Sequence, residues 1–132
     1  MIETFETVAK AIADPSRVRI LKLLEGGELC VCQVTTVLGL ANATVSKHLA
    51  GLKTAGLILA RREGKWVYYR LADKALNPYS LPFLALVASL LQDDPILAED
   101  RRLLTLANGV PVQILCDQGR QALETSPCCG AS

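Results

Sequence analysis

A chain of 132 residues with 51% apolar and 20% charged positions is long enough for one compact domain with a buried core. Its formal net charge of +1 excludes a uniformly basic or acidic binding surface, so any nucleic-acid contact must come from a local cluster. Mean hydropathy of +0.31 is high for a soluble monomer, yet the longest apolar run, Leu81 to Leu91 interrupted by Pro82, is too short to cross a bilayer.

The excess apolar surface points instead to a second subunit. Met1 is followed by Glu3 and Glu6 with no basic region and no apolar core, so no export signal is expected and the cytoplasm is the expected compartment. Five cysteines at uneven spacing do not make a secreted disulfide framework. In a reducing compartment such thiols bind metals, carry redox chemistry or are simply buried.

In chain order, Ile2, Phe5, Ala9 and Ile12 predict a first helix with a narrow apolar stripe. Asp14-Pro15 is an N-cap followed by proline at the first helical position, and it starts a second helix with Val18, Leu21 and Leu24 inward, ending at Gly26-Gly27. Arg17, Arg19 and Lys22 on that helix read as a solvated face. Val34, Val37 and Leu38 then mark a third helix. After a turn at Gly39 to Asn42, Val45, Leu49 and Leu52 recur at i, i+4, i+7 and mark a fourth. Gly39 suits the positive φ of a tight turn, Asn42 is the expected N-cap, and Gly56 the expected close.

The outward face of the fourth helix carries Thr44, Ser46, Lys47, His48 and Lys53, short hydrogen-bonding groups and cations suited to phosphates and base edges. Leu57 to Arg62 and Trp66 to Leu71, separated by Glu63-Gly64-Lys65, predict a β-hairpin. Helix, turn, helix, hairpin is a winged helix-turn-helix, so the fold class is mainly α with a small hairpin, and dimeric. Residues 42–71 hold Lys47, Lys53, Arg61, Arg62, Lys65 and Arg70 against Glu63 alone. Positive charge is thus concentrated in the proposed reader, where Asn42, Thr44, Ser46, Lys47, His48 and Lys53, with Arg62 and Lys65 on the wing, are the candidate contacts to double-stranded DNA.

Leu81, Leu84, Ala88 and Leu91 predict a helix that is apolar almost all round, which with the first helix is the candidate homodimer interface. Asp94-Pro95 starts a helix to about Leu106, and Asn108-Gly-Val-Pro111 interrupts it. Residues 1–110 form the expected DNA-binding and dimerisation domain and 111–132 a cysteine-containing extension. Its end, Ser126 to Ser132, is small and polar and reads as disordered apart from two thiols.

Cys30 and Cys32 would point about 200° apart on an ideal helix but lie on one side of extended backbone. Chelation by both therefore favours non-helical geometry just where the third helix begins. Alternatively both are small buried hydrophobes. Burial does not explain Cys128 and Cys129, which are adjacent in a polar tail. Soft thiolates select thiophilic ions, and the only histidine sits in the reader helix. With no Gly-rich phosphate loop and no carboxylate pair on a shared motif, no enzyme is expected.

Glu28-Leu-Cys-Val-Cys32, Leu38-Gly39, Thr44-Val-Ser-Lys-His-Leu49 with Leu52, and Ala55-Gly-Leu57, preceded by Ala13-Asp-Pro-Ser-Arg17 and Arg19-Ile-Leu21, closely resemble the ArsR/SmtB family of winged-helix metalloregulators over about residues 5–90. The resemblance is to its arsenic-responsive ELCVC type. It implies a homodimeric repressor that leaves operator DNA when As(III) or Sb(III) binds cysteine thiolates. Thr35 stands where the best-known members carry a third cysteine, and Ala41-Asn42-Ala43 replaces the usual Ser-Gln-Pro. Arsenite prefers three thiolates, so beyond Cys30 and Cys32 a third is expected from Cys116, Cys128 or Cys129, with one of the tail pair favoured. A sensor of Cd(II), Pb(II) or Zn(II), and a thiol redox or metal-carrier protein, remain the competing readings.

Overall fold

The structure is a computed structural model and describes residues 1–124. Its elements are α1 (Ile2–Ala11), α2 (Pro15–Leu24), β1 (Leu29–Cys30), α3 (Val31–Leu38), α4 (Asn42–Thr54), β2 (Ile58–Glu63), β3 (Trp66–Leu71), α5 (Ser80–Ser89), α6 (Pro95–Asn108), α7 (Val112–Gln118) and α8 (Gln121–Glu124). The winged helix-turn-helix expected from the sequence is present. No helix among the described residues is long and apolar enough to cross a membrane.

Local chemistry sets the helix ends. Asp14 Oδ1 accepts from the amides of Ser16 at 2.8 Å and Arg17 at 3.2 Å, with Pro15 at the first turn. Asp94 repeats the device on Ile96 and Leu97. α3 ends at Gly39, whose φ of +68° is open to glycine at no steric cost. α4 corrects one expectation: its N-cap is Ala41, which offers no side-chain oxygen, and Asn42 is the first helical residue rather than the cap. Asn77 is more than a chain break, since its Oδ1 accepts from the amides of Tyr79 and Ser80 while its Nδ2 donates to Ala55 O. It ties the start of α5 to the end of α4.

The hairpin pairs Ile58 with Leu71 through Glu63 with Trp66, leaving Gly64-Lys65 as a two-residue turn. The sheet has a third strand that the sequence did not suggest. β1 pairs antiparallel with β3, Leu29 facing Tyr69 and Cys30 facing Tyr68, in the order β1-β3-β2. The cysteine motif is therefore hydrogen-bonded to the base of the wing.

The core lies where α2, α3 and α4 meet β2. Ile20, Leu21, Val34, Val37, Leu49, Leu52 and Ile58 are all within 1% of full burial, each such side chain contributing about 1.5–3 kcal/mol of transfer free energy. On α2 the inward residues are Ile20, Leu21, Leu23 and Leu24, and Val18 is only half-buried. The basic residues of α2 are not a solvated face. Arg19 forms a bidentate pair with Asp100 of α6, which is buried, at 2.8 and 2.9 Å. That hydrogen-bonded pairing raises the Arg19 pKa above its ordinary value. Lys22 reaches Glu25 and Ala88 O.

On α1 the buried residues are Val8 and Ala11, while Ile2 is 76% and Phe5 46% exposed. Phe5 stacks edge-on against Tyr79 and lies beside Phe83 of α5. Ile2 and Phe5 of the stripe assigned to the candidate dimer interface thus face out, while Ile12 packs against the core; Leu81 and Leu86 of α5 are also exposed. A smaller cluster of Ala107, Leu115, Ala122 and Leu123 holds α6, α7 and α8 together, with Cys32 of α3 against its edge.

Candidate nucleic-acid interface and thiol site

α4 presents two faces because its apolar residues recur with the helical period. Val45, Leu49 and Leu52 are fully buried, and Asn42, Thr44, Ser46, Lys47 and Lys53 lie exposed on the rest of the surface. His48 differs from this expectation. It is half-buried, and its Nδ1 accepts from Arg17 Nε at 3.3 Å, which leaves Nε2 as the ring donor in the neutral form.

On the wing, Arg62 and Lys65 are exposed at the hairpin tip, and Lys65 Nζ lies 4.8 Å from the centroid of the Trp66 ring. Two other cations of the basic cluster are engaged elsewhere. Arg61 clasps Glu28 with both carboxylate oxygens at 2.7 to 2.9 Å and lies over Tyr68, and Arg70 pairs with Asp73 at 2.9 Å. The Arg61 hydrogen bonds hold the Glu28 carboxyl below the usual carboxylate range, and Arg70 does the same to Asp73. Among the described residues, Lys47, Lys53, Arg62 and Lys65 are the cations of this cluster that form no ion pair.

The thiols divide. Cys32, in the first turn of α3, and Cys116, on α7, are joined as a disulfide across 84 residues of sequence with Cα atoms 5.1 Å apart. Cys30 caps the start of α3 in extended backbone (φ −75°, ψ 148°), fully buried and in no disulfide. Its amide donates to Gln33 Oε1 at 2.9 Å. Cys30 and Cys32 therefore straddle a strand-to-helix junction and do not share one unwound segment. Cys128 and Cys129, and the expectation of a disordered tail, lie outside the described residues. Among those described, no group of three His, Cys, Asp or Glu side chains is gathered as a metal site.

A cavity of about 190 Å³ opens beside the thiol pair, lined by Cys32, Thr35, Thr36, Asn42, Leu115, Cys116 and Gly119. Asn42 is the first residue of α4, so the Cys32–Cys116 pair and the start of that helix share one cavity. Sequence reasoning named Cys116 only among several candidates because its segment has no decisive periodicity. Its neighbour Leu115, only 2% exposed, belongs to the cluster that docks α7.

Residues 14–59 match the family model described as bacterial regulatory protein, arsR family. Arsenic resistance transcriptional regulator ArsR1 of Pseudomonas putida is 49% identical over 65 residues, 48% of this chain and 51% of that protein. The arsenical resistance operon repressor of Escherichia coli is 50% identical over 64 residues, 48% and 55%. The chain thus spans about half the length of these two arsenic regulators. The HTH-type transcriptional regulator CmtR of Mycobacterium tuberculosis is 38% identical over 92 residues, covering 70% of this chain and 78% of CmtR, and its structure, described as that of a cadmium metal-sensor, aligns with a TM-score of 0.50. A homodimeric winged helix-turn-helix DNA-binding domain from Mycobacterium bovis aligns with a TM-score of 0.57 at 38% identity, covering 67% of this chain and 78% of that one.

Proposed function

The chain belongs to the arsR family of bacterial regulatory proteins and is a transcriptional regulator of that family; from that premise we propose that it is a homodimeric repressor which releases operator DNA when trivalent arsenic or antimony binds its thiolates. The observation that carries this reading is the meeting of Cys32 and Cys116 in a cavity shared with Asn42 of the reader helix. In reduced form the two thiols form a dithiol whose backbone spacing suits one thiophilic ion. Cys30, or a tail thiol from Cys128 or Cys129, supplies the third thiolate. Asn42, Thr44, Ser46, Lys47, His48 and Lys53 read the major groove, and Arg62 and Lys65 hold phosphate from the wing. A coupling of ~1–3 kcal/mol between the sites loosens DNA five- to about 150-fold.

The similarity to CmtR, whose solved structure is that of a cadmium metal-sensor and which covers more of the chain than the arsenic regulators do, supports Cd(II) as the second reading, with Pb(II) and Zn(II) as the other ions a thiolate set could take. The test is a titration of DNA release by the reduced protein against arsenite, antimonite, cadmium, lead and zinc. Cys32→Ser and Cys116→Ser are each expected to abolish release while operator affinity without effector stays within about threefold. Cys128→Ser with Cys129→Ser is expected to lower the arsenic coordination seen by X-ray absorption from three sulfurs to two where a tail thiol is the third ligand, and an unaltered three-sulfur signal assigns that place to Cys30. Release by arsenite in the Cys116→Ser protein would remove Cys116 from the site, and release by cadmium alone would select the second reading.

The dimer is supported by the exposed apolar side chains of α1 and α5, Ile2, Phe5, Leu81 and Leu86, and by the homodimeric relative. Leu86→Glu, which puts a charge on this exposed part of α5 without touching the core, is expected to convert a dimer at micromolar concentration into a monomer by sedimentation. A wild type that sediments as a monomer would refute the assignment.

A further inference from the structure

The thiol pair and the reader turn are joined by a second link. A helix leaves its last carbonyls without internal partners. In α3, Thr35 O is taken by the Gly39 amide at 2.9 Å, but Thr36 O accepts from Arg120 Nε at 3.1 Å and Val37 O from Arg120 Nη2 at 2.8 Å. One guanidinium, arriving from the C-terminal segment, therefore closes the end of α3 as a two-pronged fork. Its charge sits at the negative end of the helix dipole. It also lies against the turn itself, since a methyl group built at Gly39 would come within 2.8 Å of Arg120 Cζ. Gly39 is the joint between α3 and α4.

Arg120 follows Cys116 by four residues, with Gly119 (φ 59°, ψ −136°) bending the chain between them. On the α3 side, Thr36 Oγ1 donates to Cys32 O at 2.7 Å. A ring results: Cys32 to Cys116 through sulfur, Cys116 to Arg120 through the chain, Arg120 to Thr36 through the fork, and Thr36 back to Cys32. Buried Ala122 and Leu123 anchor the segment that carries the arginine.

We infer that Arg120 is a positioning residue that transmits the state of the Cys32–Cys116 pair to the α3–α4 turn. A change in how the two sulfurs are bridged moves α7 against α3, and the fork then keeps or loses its two carbonyls. While it holds them, the turn is braced; when it lets go, Gly39 is released and α4 changes its angle to the groove. This rests on the reading that the thiol pair is the effector site.

The experiment compares the full chain with Arg120→Ala and Arg120→Lys in three states: reduced, reduced with arsenite, and oxidised with oxidised glutathione. Each sulfur–arsenic bond forms as a thiol gives its proton to a hydroxyl of arsenous acid, which leaves as water. In the oxidised state Cys32 and Cys116 lose two electrons and two protons to the glutathione disulfide, which leaves as two thiols. Operator affinity of the wild type is expected to differ five- to about 150-fold between the reduced state and at least one bridged state.

In both variants that difference is expected to fall below about twofold, although arsenic binds with the same stoichiometry by mass spectrometry. Lysine keeps the charge but cannot present two parallel donors, and it carries the test if the alanine variant does not fold. A wild-type fold-change in either variant overturns the inference. A wild type that ignores arsenite yet responds to oxidation through Arg120 refutes the arsenic reading and leaves the inference standing. A wild type with one affinity in all three states overturns it.

Discussion

Alanine at Lys47, Arg62 and Lys65 together is expected to lower operator affinity on the order of 100-fold at ~0.1 M salt and to reduce the slope of log affinity against log salt by about three. Each cation that neutralises a phosphate releases roughly one counterion, which makes each contact worth about 1 kcal/mol under those conditions. These three are selected because they are exposed on the reader helix and wing tip and form no ion pair among the described residues. Arg61→Ala is the contrasting control. Its guanidinium is already held by Glu28, so its loss is expected to change the salt slope by less than about half a unit. Fluorescence anisotropy across a salt series reads both quantities. Affinity unchanged in the triple variant would show that α4 and the wing do not face DNA.

The largest effect on stability is expected at the α2–α6 joint. Asp100 has a side chain only 3% exposed and accepts two hydrogen bonds from Arg19, itself 23% exposed. Asp100→Ala leaves a guanidinium at a largely dry interface with no partner. Breaking a buried pair from one side costs about 3–5 kcal/mol, and the partial exposure of Arg19 brings the expectation to about 2–3 kcal/mol. Urea unfolding of the reduced protein measures it. Arg19→Met with Asp100→Leu, which removes both charges and keeps volume, is expected to recover most of the loss. A loss below about 0.5 kcal/mol in the single variant would mean that water reaches the pair freely. Because α6 carries the cluster on which α7 and α8 rest, the single variant is also expected to expose Cys116 to thiol reagents faster than in the wild type.

What could be read from residues alone was what neighbouring residues decide between themselves. Asp14-Pro15 and Asp94-Pro95 start helices because an aspartate oxygen reaches amides two and three positions ahead. The i, i+4, i+7 pattern of Val45, Leu49 and Leu52 defines both the buried stripe of α4 and the polar face opposite it. Glu63-Gly64-Lys65 turns the chain because Gly64 takes φ +61°. These signals span a few residues, and they were sufficient for the winged helix-turn-helix.

Tertiary packing decided which groups meet. The pairing of Leu29 and Cys30 with β3 depends on the wing folding back onto a two-residue segment too short to announce itself as a strand. Arg17, Arg19, Arg61 and Arg70 are ordinary cations in sequence, yet each is held by His48, Asp100, Glu28 or Asp73. The separations of 31, 81 and 33 residues in the first three leave no local periodicity. Cys32 finds Cys116 across 84 residues because α7 buries Leu115 against α6 and α3. The same docking brings Arg120 to Thr36 and Val37. Side chains find distant partners only after the apolar faces beneath them have closed, and local sequence does not encode where those faces come to rest.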